Sequence, residues 1–310
     1  MDITLVISQM CVMLIIILIG YTMFRKNRLS NLSSAHISGL VVNICNPATI
    51  LCSAFDKEAA ITVGELLYAL FITILVYAVL ILAGFAMPIL VRAKKEERYM
   101  YHFLTVYGNV GFLGIPLVAA VLGGNALAYV SINCVVFNLL FYTSGVGIIK
   151  KKAGEKASAG VKEFLAKIIN IGTVSSLLTI LLYLVDFRLP TVISDTVSYA
   201  GRATTFLSMI VLGVSVAQIP FKELFSHKED YWFIALRMLL LPVGCVLLLK
   251  LFVADSLLLG TLALLLAVPC GNLPLMCSRE HGLSADTLAR TIVLTTLVSV
   301  ITIPVVVLFL

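Results

Sequence analysis

Ten apolar runs of about 20 residues, separated by short polar segments, are the feature that most limits how this chain can fold. An α-helix of about 20 apolar residues is long enough to cross the hydrocarbon core of a bilayer. Only 12% of the 310 residues are charged, and the mean hydropathy is +1.09, which excludes a soluble domain under a charged surface. The sequence therefore predicts an all-α, multi-pass membrane protein.

The ends of the apolar runs give approximate bounds for ten predicted spans. They cover residues 3–24, 33–55, 64–91, 99–122, 126–149, 164–186, 194–218, 229–252, 256–278 and 285–309. Loops rich in lysine and arginine stay in the cytoplasm. Of the 22 basic residues, 17 lie in or beside the loops that follow the odd-numbered spans, which are all on the same side of the membrane. This distribution predicts a protein of the cell (plasma or inner) membrane with both termini outside the cytoplasm.

The net charge of +6 is explained by these basic loops, so it does not indicate a nucleic-acid partner. All seven cysteines fall inside predicted spans, without a close CxxC pair or a histidine at ligand spacing. Free cysteines of this kind are usually small, buried core residues. We therefore expect the lipid bilayer to surround the chain, and we predict no nucleic acid, metal or cofactor.

The basic segment KKKAGEKASAGVKEF, which begins at Lys150, lies near the midpoint of the chain. It separates five predicted spans from five more, and an odd number of spans reverses the direction of the second half. This is the arrangement of secondary transporters built from an inverted repeat. We therefore expect a first five-helix repeat at residues 1–155 and a second, inverted repeat at residues 156–310.

Corresponding spans of the two halves carry matching helix breakers. GFLGIPL at 111–117 aligns with PCGNLPL at 269–275 when the proline of each LP or IP pair is superposed. Proline removes a helix hydrogen bond, and glycine weakens a helix by roughly 1 kcal/mol relative to alanine. The pattern predicts unwinding in the fourth and ninth spans, around Asn109, Gly111, Gly114 and Pro116 and around Pro269, Gly271, Asn272 and Pro274.

Unwound backbone inside a membrane is tolerated where it is buried in protein or lines a polar cavity. It also creates helix N-termini, whose N–H groups and partial positive charge suit an anion. A single Gly/Pro kink would often serve only helix packing. Two matched breaks, each beside an asparagine (Asn109 and Asn272), favour a substrate-binding site instead.

Polar residues in other spans extend this candidate site. Asn46 and Pro47 in the second span, Asn138 in the fifth, and Thr204 and Ser208 in the seventh are placed to approach the breaks. Hydrogen bonding between helices is the alternative, because asparagine and hydroxyl side chains often join helices in membranes.

Arg202 and Arg237 are the basic residues placed well inside spans. Intramembrane charges often mark a functional site. Both residues also lie within about two turns of a predicted span end, from which a long side chain can reach the membrane interface. The sequence leaves a substrate counter-ion and an interfacial residue as alternatives for each.

The motifs GNVGFLGIPLV and AVPCGNLPLMCSREHGL, with the ten-span layout and a short basic central loop, resemble prokaryotic members of the auxin efflux carrier family. The resemblance implies a fold similar to the bile acid/sodium symporters and sodium/proton antiporters, with the fourth and ninth helices broken and crossing. It further implies a scaffold of spans 1, 2, 6 and 7. Spans 3–5 and 8–10 would form a transport domain that moves like an elevator.

Known or proposed substrates of that family are organic anions, auxin in plants and dicarboxylates in bacteria. We therefore interpret the chain as a secondary transporter of a small organic anion and not as an enzyme; the HExxH and GxSxG motifs are missing. The alternatives are a cation/proton antiporter or a sodium-coupled symporter on the same fold, a non-transporting membrane receptor, and a membrane-embedded enzyme. The sequence leaves open Na+ or H+ coupling and assembly as a homodimer.

Overall fold

The computed structural model describes residues 2–52, 54, 61–154, 169–185, 190–220 and 224–310. Within these residues every named secondary-structure element is a helix, and none is a strand. The helices are α1 (Ile3–Arg25), α2 (Asn31–Cys52), α3 (Val63–Leu90), α4 (Arg98–Val106), α5 (Val110–Leu122), α6 (Ala126–Lys152), α7 (Ile171–Val185), α8 (Thr191–Ala217), α9 (Lys228–Leu249), α10 (Ser256–Ala267), α11 (Leu273–Glu280) and α12 (Asp286–Val307).

Seven of these helices are long and apolar enough to cross a membrane, namely α1, α2, α3, α6, α8, α9 and α12. Shorter apolar helices lie in α5, α7 and α10. The all-helical, multi-pass architecture is thus confirmed. The fourth predicted span is divided into α4 and α5, and the ninth into α10 and α11. The first residues of the sixth predicted span, 164–168, lie outside the described residues.

Local sequence signals explain where several helices begin. α3 starts at a capping box, in which the Thr62 hydroxyl accepts from the Glu65 N–H while the Glu65 carboxylate accepts from the Thr62 N–H. α10 starts after Asp255, whose carboxylate accepts from the Leu257 N–H at 2.8 Å. Such caps satisfy the N–H groups that a helix leaves unpaired at its first turn.

Prolines explain three wide, π-helical turns within the helices. The turns Val41–Cys45 in α2, Val110–Gly114 in α5 and Ala235–Leu240 in α9 each end two residues before a proline. A proline cannot donate to the carbonyl four residues earlier and clashes with it. Because that carbonyl lies inside the wide turn in each case, the turn relieves the clash without ending the helix.

Glycines allow α1 and α8 to pack with their backbones almost in contact. A Cβ atom at Gly213 would overlap the carbonyl oxygen of Ile17, and one at Gly20 would overlap that of Ile210. Small residues permit such close approach between membrane helices. α8 also packs on α2, where the Thr49 and Thr204 hydroxyls share a hydrogen bond of 2.7 Å.

A buried carboxylate joins α4, α9 and α12. Asp230 is fully buried and pairs with the Nε of Arg290 at 2.6 Å. Its other oxygen accepts from the hydroxyls of Tyr101 at 3.0 Å and Thr291 at 2.9 Å. A buried charge persists where it is paired and hydrogen-bonded in this way. The network fixes α4, and with it one of the two helix breaks, relative to α9 and α12.

Candidate substrate site

The two predicted helix breaks meet each other. α4 ends at Val106 and α5 begins at Val110, while α10 ends at Ala267 and α11 begins at Leu273. The intervening residues 107–109 and 268–272, here called the paired breaks, run antiparallel and form a bridge between Gly108 and Cys270. The Asn109 N–H donates to the Pro269 carbonyl at 2.7 Å, and the Gly271 N–H donates to the Tyr107 carbonyl at 2.9 Å.

The pairing depends on a residue without a side chain at position 271. A Cβ atom at Gly271 would lie 2.6 Å from the carbonyl oxygen of Gly108 and 3.0 Å from its carbonyl carbon. Both are backbone atoms held by the pairing itself, so they cannot swing aside. Glycine is therefore required here to let the two chains approach closely.

A cavity of about 220 Å³ lies against the paired breaks. It is bounded by residues of α2, α5, α6 and α11, by the breaks, and by residues before and within α7. Seven of the predicted site residues line it: Asn46, Pro47, Asn109, Gly111, Asn138, Gly271 and Asn272.

Two buried amide atoms at this cavity have no hydrogen-bond partner among the described residues. They are the Nδ2 of Asn109, a residue 3% exposed, and the Oδ1 of Asn46, a residue 7% exposed. Buried polar groups are normally paired. The cavity therefore has one donor, the Asn109 Nδ2, and one acceptor, the Asn46 Oδ1, that the described residues leave unpaired.

The first turns of α5 and α11 also reach the cavity. Val110, Gly111 and Phe112 line it at the start of α5, and Leu273 lines it at the start of α11. The Oδ1 of Asn109 caps α5 by accepting from the Phe112 N–H at 3.1 Å, which leaves its amide nitrogen for the cavity. Two helix N-termini, each equivalent to roughly half a positive charge, thus lie beside one cavity.

The other predicted residues lie outside the cavity lining. Gly114 packs toward Leu265, Pro116 follows the wide turn of α5, and Pro274 lies in the first turn of α11, where proline is tolerated. Pro269 contributes the carbonyl of the pairing. Thr204 is bonded to Thr49, as the interhelical alternative expects, and Ser208 donates to the Thr205 carbonyl.

Sequence reasoning missed two parts of the site. Asn170 and Gly172, at the start of α7, join the lining, and so do Ile50, Phe137 and Met276, which carry no signal that separates them from core residues.

The interfacial alternative is wrong for Arg237, which is 1% exposed. Its Nε donates to the Thr105 carbonyl at 2.8 Å and its Nη1 to the Leu266 carbonyl at 3.0 Å.

The fold, paired breaks and amide-lined cavity define a multi-pass membrane protein with a cavity at its helix breaks. Over residues 5–307 the sequence matches the family described as "Membrane transport protein". The chain therefore belongs to this family, and its resemblance to the auxin efflux carriers is confirmed.

Two transporters from other organisms are similar in sequence to this chain. The "Putative malonate transporter" of Rhizobium meliloti (strain 1021) is 24% identical over 294 residues, which cover 93% of this chain and 90% of the relative. An "Uncharacterized transporter" of Methanocaldococcus jannaschii is 25% identical over 227 residues, which cover 70% of this chain and 69% of the relative.

A Gly271→Ala substitution is expected to destabilise the protein by about 1–3 kcal/mol, because the added methyl group overlaps backbone that cannot move freely. Gly244→Ala in α9 is the matched control, since a Cβ there meets nothing within 4 Å. The measurement is the thermal unfolding midpoint of each variant in detergent. Equal midpoints for both variants would show that close pairing at residue 271 is not required.

Proposed function

We propose that this chain is a secondary transporter of a small organic anion, with a carboxylate as the recognised group. One observation carries the proposal: two helix N-termini and an asparagine amide that is unpaired among the described residues meet at one cavity at the paired breaks. Backbone N–H groups at helix N-termini bind carboxylates without a basic side chain. All the described residues that line the cavity are uncharged, so these donors are the anion-binding groups.

The size and walls of the cavity limit the substrate. Its volume of about 220 Å³ lies below the roughly 300–1,000 Å³ of sites for drug-sized ligands. Ile50, Phe112, Phe137 and Met276 contribute apolar side chains to its lining. This combination favours a carboxylate with a short apolar portion, and the name of the Rhizobium relative, which refers to malonate, agrees with a carboxylate.

We further propose that the chain is a 5+5 inverted repeat that works by an elevator mechanism. The matched breaks, one in each half, support the repeat. α1, α2, α7 and α8 pack against one another, as expected of a scaffold, and α3 to α6 and α9 to α12 make up the proposed transport domain. The cavity lies between these groups, since α2 and α7 line one part of it and α5, α6 and α11 the other.

Sodium-coupled symport is the second candidate, and Asn46 is the observation that favours it. Its Oδ1 is an unpaired, buried acceptor beside the cavity. An amide oxygen of this kind suits a hard cation such as Na+, but it equally suits an N–H or O–H group of the substrate. Proton coupling and a homodimer remain parts of the hypothesis to be tested separately.

We propose a plasma or inner membrane location with both termini outside the cytoplasm, on the basis of the basic loops. An alkaline phosphatase reporter fused after Leu310 is therefore expected to be active, because that enzyme requires a location outside the cytoplasm. A fusion after Lys152, in the basic central segment, is the matched control and should be inactive. The reverse pattern would overturn the proposed orientation.

A ligand panel tests the proposed function directly. Malonate, succinate, butyrate and indole-3-acetate are each compared with the corresponding amide in a thermal-shift assay on purified protein. A ligand that binds only the folded state at 100 times its Kd stabilises it by about 2.7 kcal/mol, so at least one carboxylate should raise the unfolding midpoint more than its amide. Stabilisation by Na+ without any carboxylate would contradict the anion proposal.

Asn109→Ala is expected to weaken binding of the stabilising carboxylate about tenfold or more, because it removes a desolvated donor. It also removes a helix cap worth about 1 kcal/mol, so affinity and unfolding midpoint must be measured separately. Asn272→Ala removes a cavity amide that makes no capping bond and should weaken binding as well.

Asn125→Ala is the control for both variants. Asn125 also precedes a helix and has an unpaired buried Oδ1, but it does not line the cavity. Unchanged affinity in both Asn109→Ala and Asn272→Ala, measured by calorimetric titration, would remove the paired breaks from the binding site.

A further inference from the structure

We propose that Arg237 makes the cavity selective for anions, although it does not line the cavity. In this role it is a positioning residue, whose guanidinium neutralises the C-terminal ends of α4 and α10. The N-terminal ends of α5 and α11 then act unopposed on the ligand. The inference rests on the proposed function, since it concerns the charge of the same substrate.

One guanidinium caps both helices that end at the paired breaks. Arg237 lies on α9, and its Nε and Nη1 donate to the carbonyls of Thr105 and Leu266 at 2.8 and 3.0 Å. Thr105 is in the last turn of α4, and Leu266 is in the last turn of α10. Carbonyls in a last turn have no partner within their own helix, so Arg237 supplies the partner that each of the two helices lacks.

The charges of the four helix ends make this contact important for binding. A helix end carries roughly half an elementary charge, positive at the N-terminus and negative at the C-terminus. Two ends of each sign meet at the paired breaks, so the backbone alone presents little net charge. The charge of Arg237 offsets the two negative ends. About one positive charge is left on the two N-termini beside the cavity, which matches one carboxylate.

The charge of Arg237 is not consumed by an ion pair with the described residues, because both of its hydrogen bonds end on backbone carbonyls. Its remaining nitrogen, Nη2, lies 3.6 Å from the point that a Cβ at Gly108 would occupy. Gly108 itself lines the cavity. The guanidinium therefore lies next to a residue of the paired breaks that lines the cavity. In a low-dielectric interior, its charge acts strongly across the width of the paired breaks.

Arginine combines two properties that this position uses. Its planar group donates to two carbonyls at once, and it keeps its proton across the working pH range. A lysine ammonium carries the same positive charge but can release its proton, and burial makes a lysine do so at a lower pH than in water. The Arg237→Lys variant thus carries a charge that can be titrated. If Arg237 acts through its charge, the affinity of this variant depends on pH; if it acts only through packing, the affinity does not.

The experiment measures carboxylate affinity by calorimetric titration at pH 6 and pH 10, using the four carboxylates of the panel. The proteins are wild type, Arg237→Lys, Arg237→Gln and Arg202→Gln. Arg202→Gln is the matched control, because Arg202 was also predicted inside a span but is exposed. Tyr77, Cys245 and Cys270 are the titratable groups that face Arg237. They are present in every protein, so each variant is compared with wild type at the same pH.

We expect Arg237→Lys to bind within about threefold of wild type at pH 6 and to lose about tenfold or more of its affinity relative to wild type by pH 10. Arg237→Gln should bind weakly at both pH values, and Arg202→Gln should follow wild type. If Arg237→Gln does not fold, the pH profile of Arg237→Lys decides alone.

Two outcomes would overturn the inference, and they can be told apart. An Arg237→Lys variant whose affinity changes with pH only as wild type does would show that the residue acts through packing, and the proposed function would stand. A wild-type protein that binds none of the four carboxylates would overturn the proposed function and this inference together.

Discussion

The pairing of two unwound segments with each other is the interaction on which the rest of the structure depends. Backbone N–H and C=O groups that leave a helix inside a bilayer must find partners within the protein, because hydrocarbon offers none. Here each break supplies partners to the other through the bonds of Asn109 and Gly271. Nearby side chains supply further partners: the Cys270 N–H donates to Thr295, and Arg237 donates to the carbonyls of Thr105 and Leu266 at the adjoining helix ends. Unwinding is thereby made compatible with the membrane.

The sequence predicts the positions of the breaks well because their causes are local. Glycine and proline change backbone preferences wherever they occur, so a break near each of Gly111 and Gly271 could be predicted without knowledge of the fold. The first break lies at 107–109, just before Gly111, Gly114 and Pro116, which belong to α5. Hydrogen-bond partners that are distant in the sequence could not be predicted in this way. Nothing local distinguishes Thr204, which bonds to Thr49, from a hydroxyl that faces a cavity. The sequence could not choose between the alternatives for Arg237 for the same reason, since its two carbonyl partners lie on other helices.

The two breaks are alike in sequence but differ in chemistry. The first is three residues long, and Asn109 caps the following helix with its own side chain. The second is five residues long, and Asn272 makes no such capping bond. An amide that is already oriented by one hydrogen bond presents its other end in a fixed direction, whereas an uncapped amide can adjust. The two breaks would therefore contact the proposed substrate in different ways.

The distribution of polar contacts around the breaks bears on how the proposed elevator could move. The partners of the paired breaks come from α4, α9, α10 and α12, which all belong to the proposed transport domain. Asn46 on α2, from the proposed scaffold, lines the same cavity, and its Oδ1 has no partner among the described residues. A domain whose unwound backbone is satisfied internally can move against its neighbour without exposing unpaired groups. The substrate would then complete the polar contacts at the boundary between the two domains.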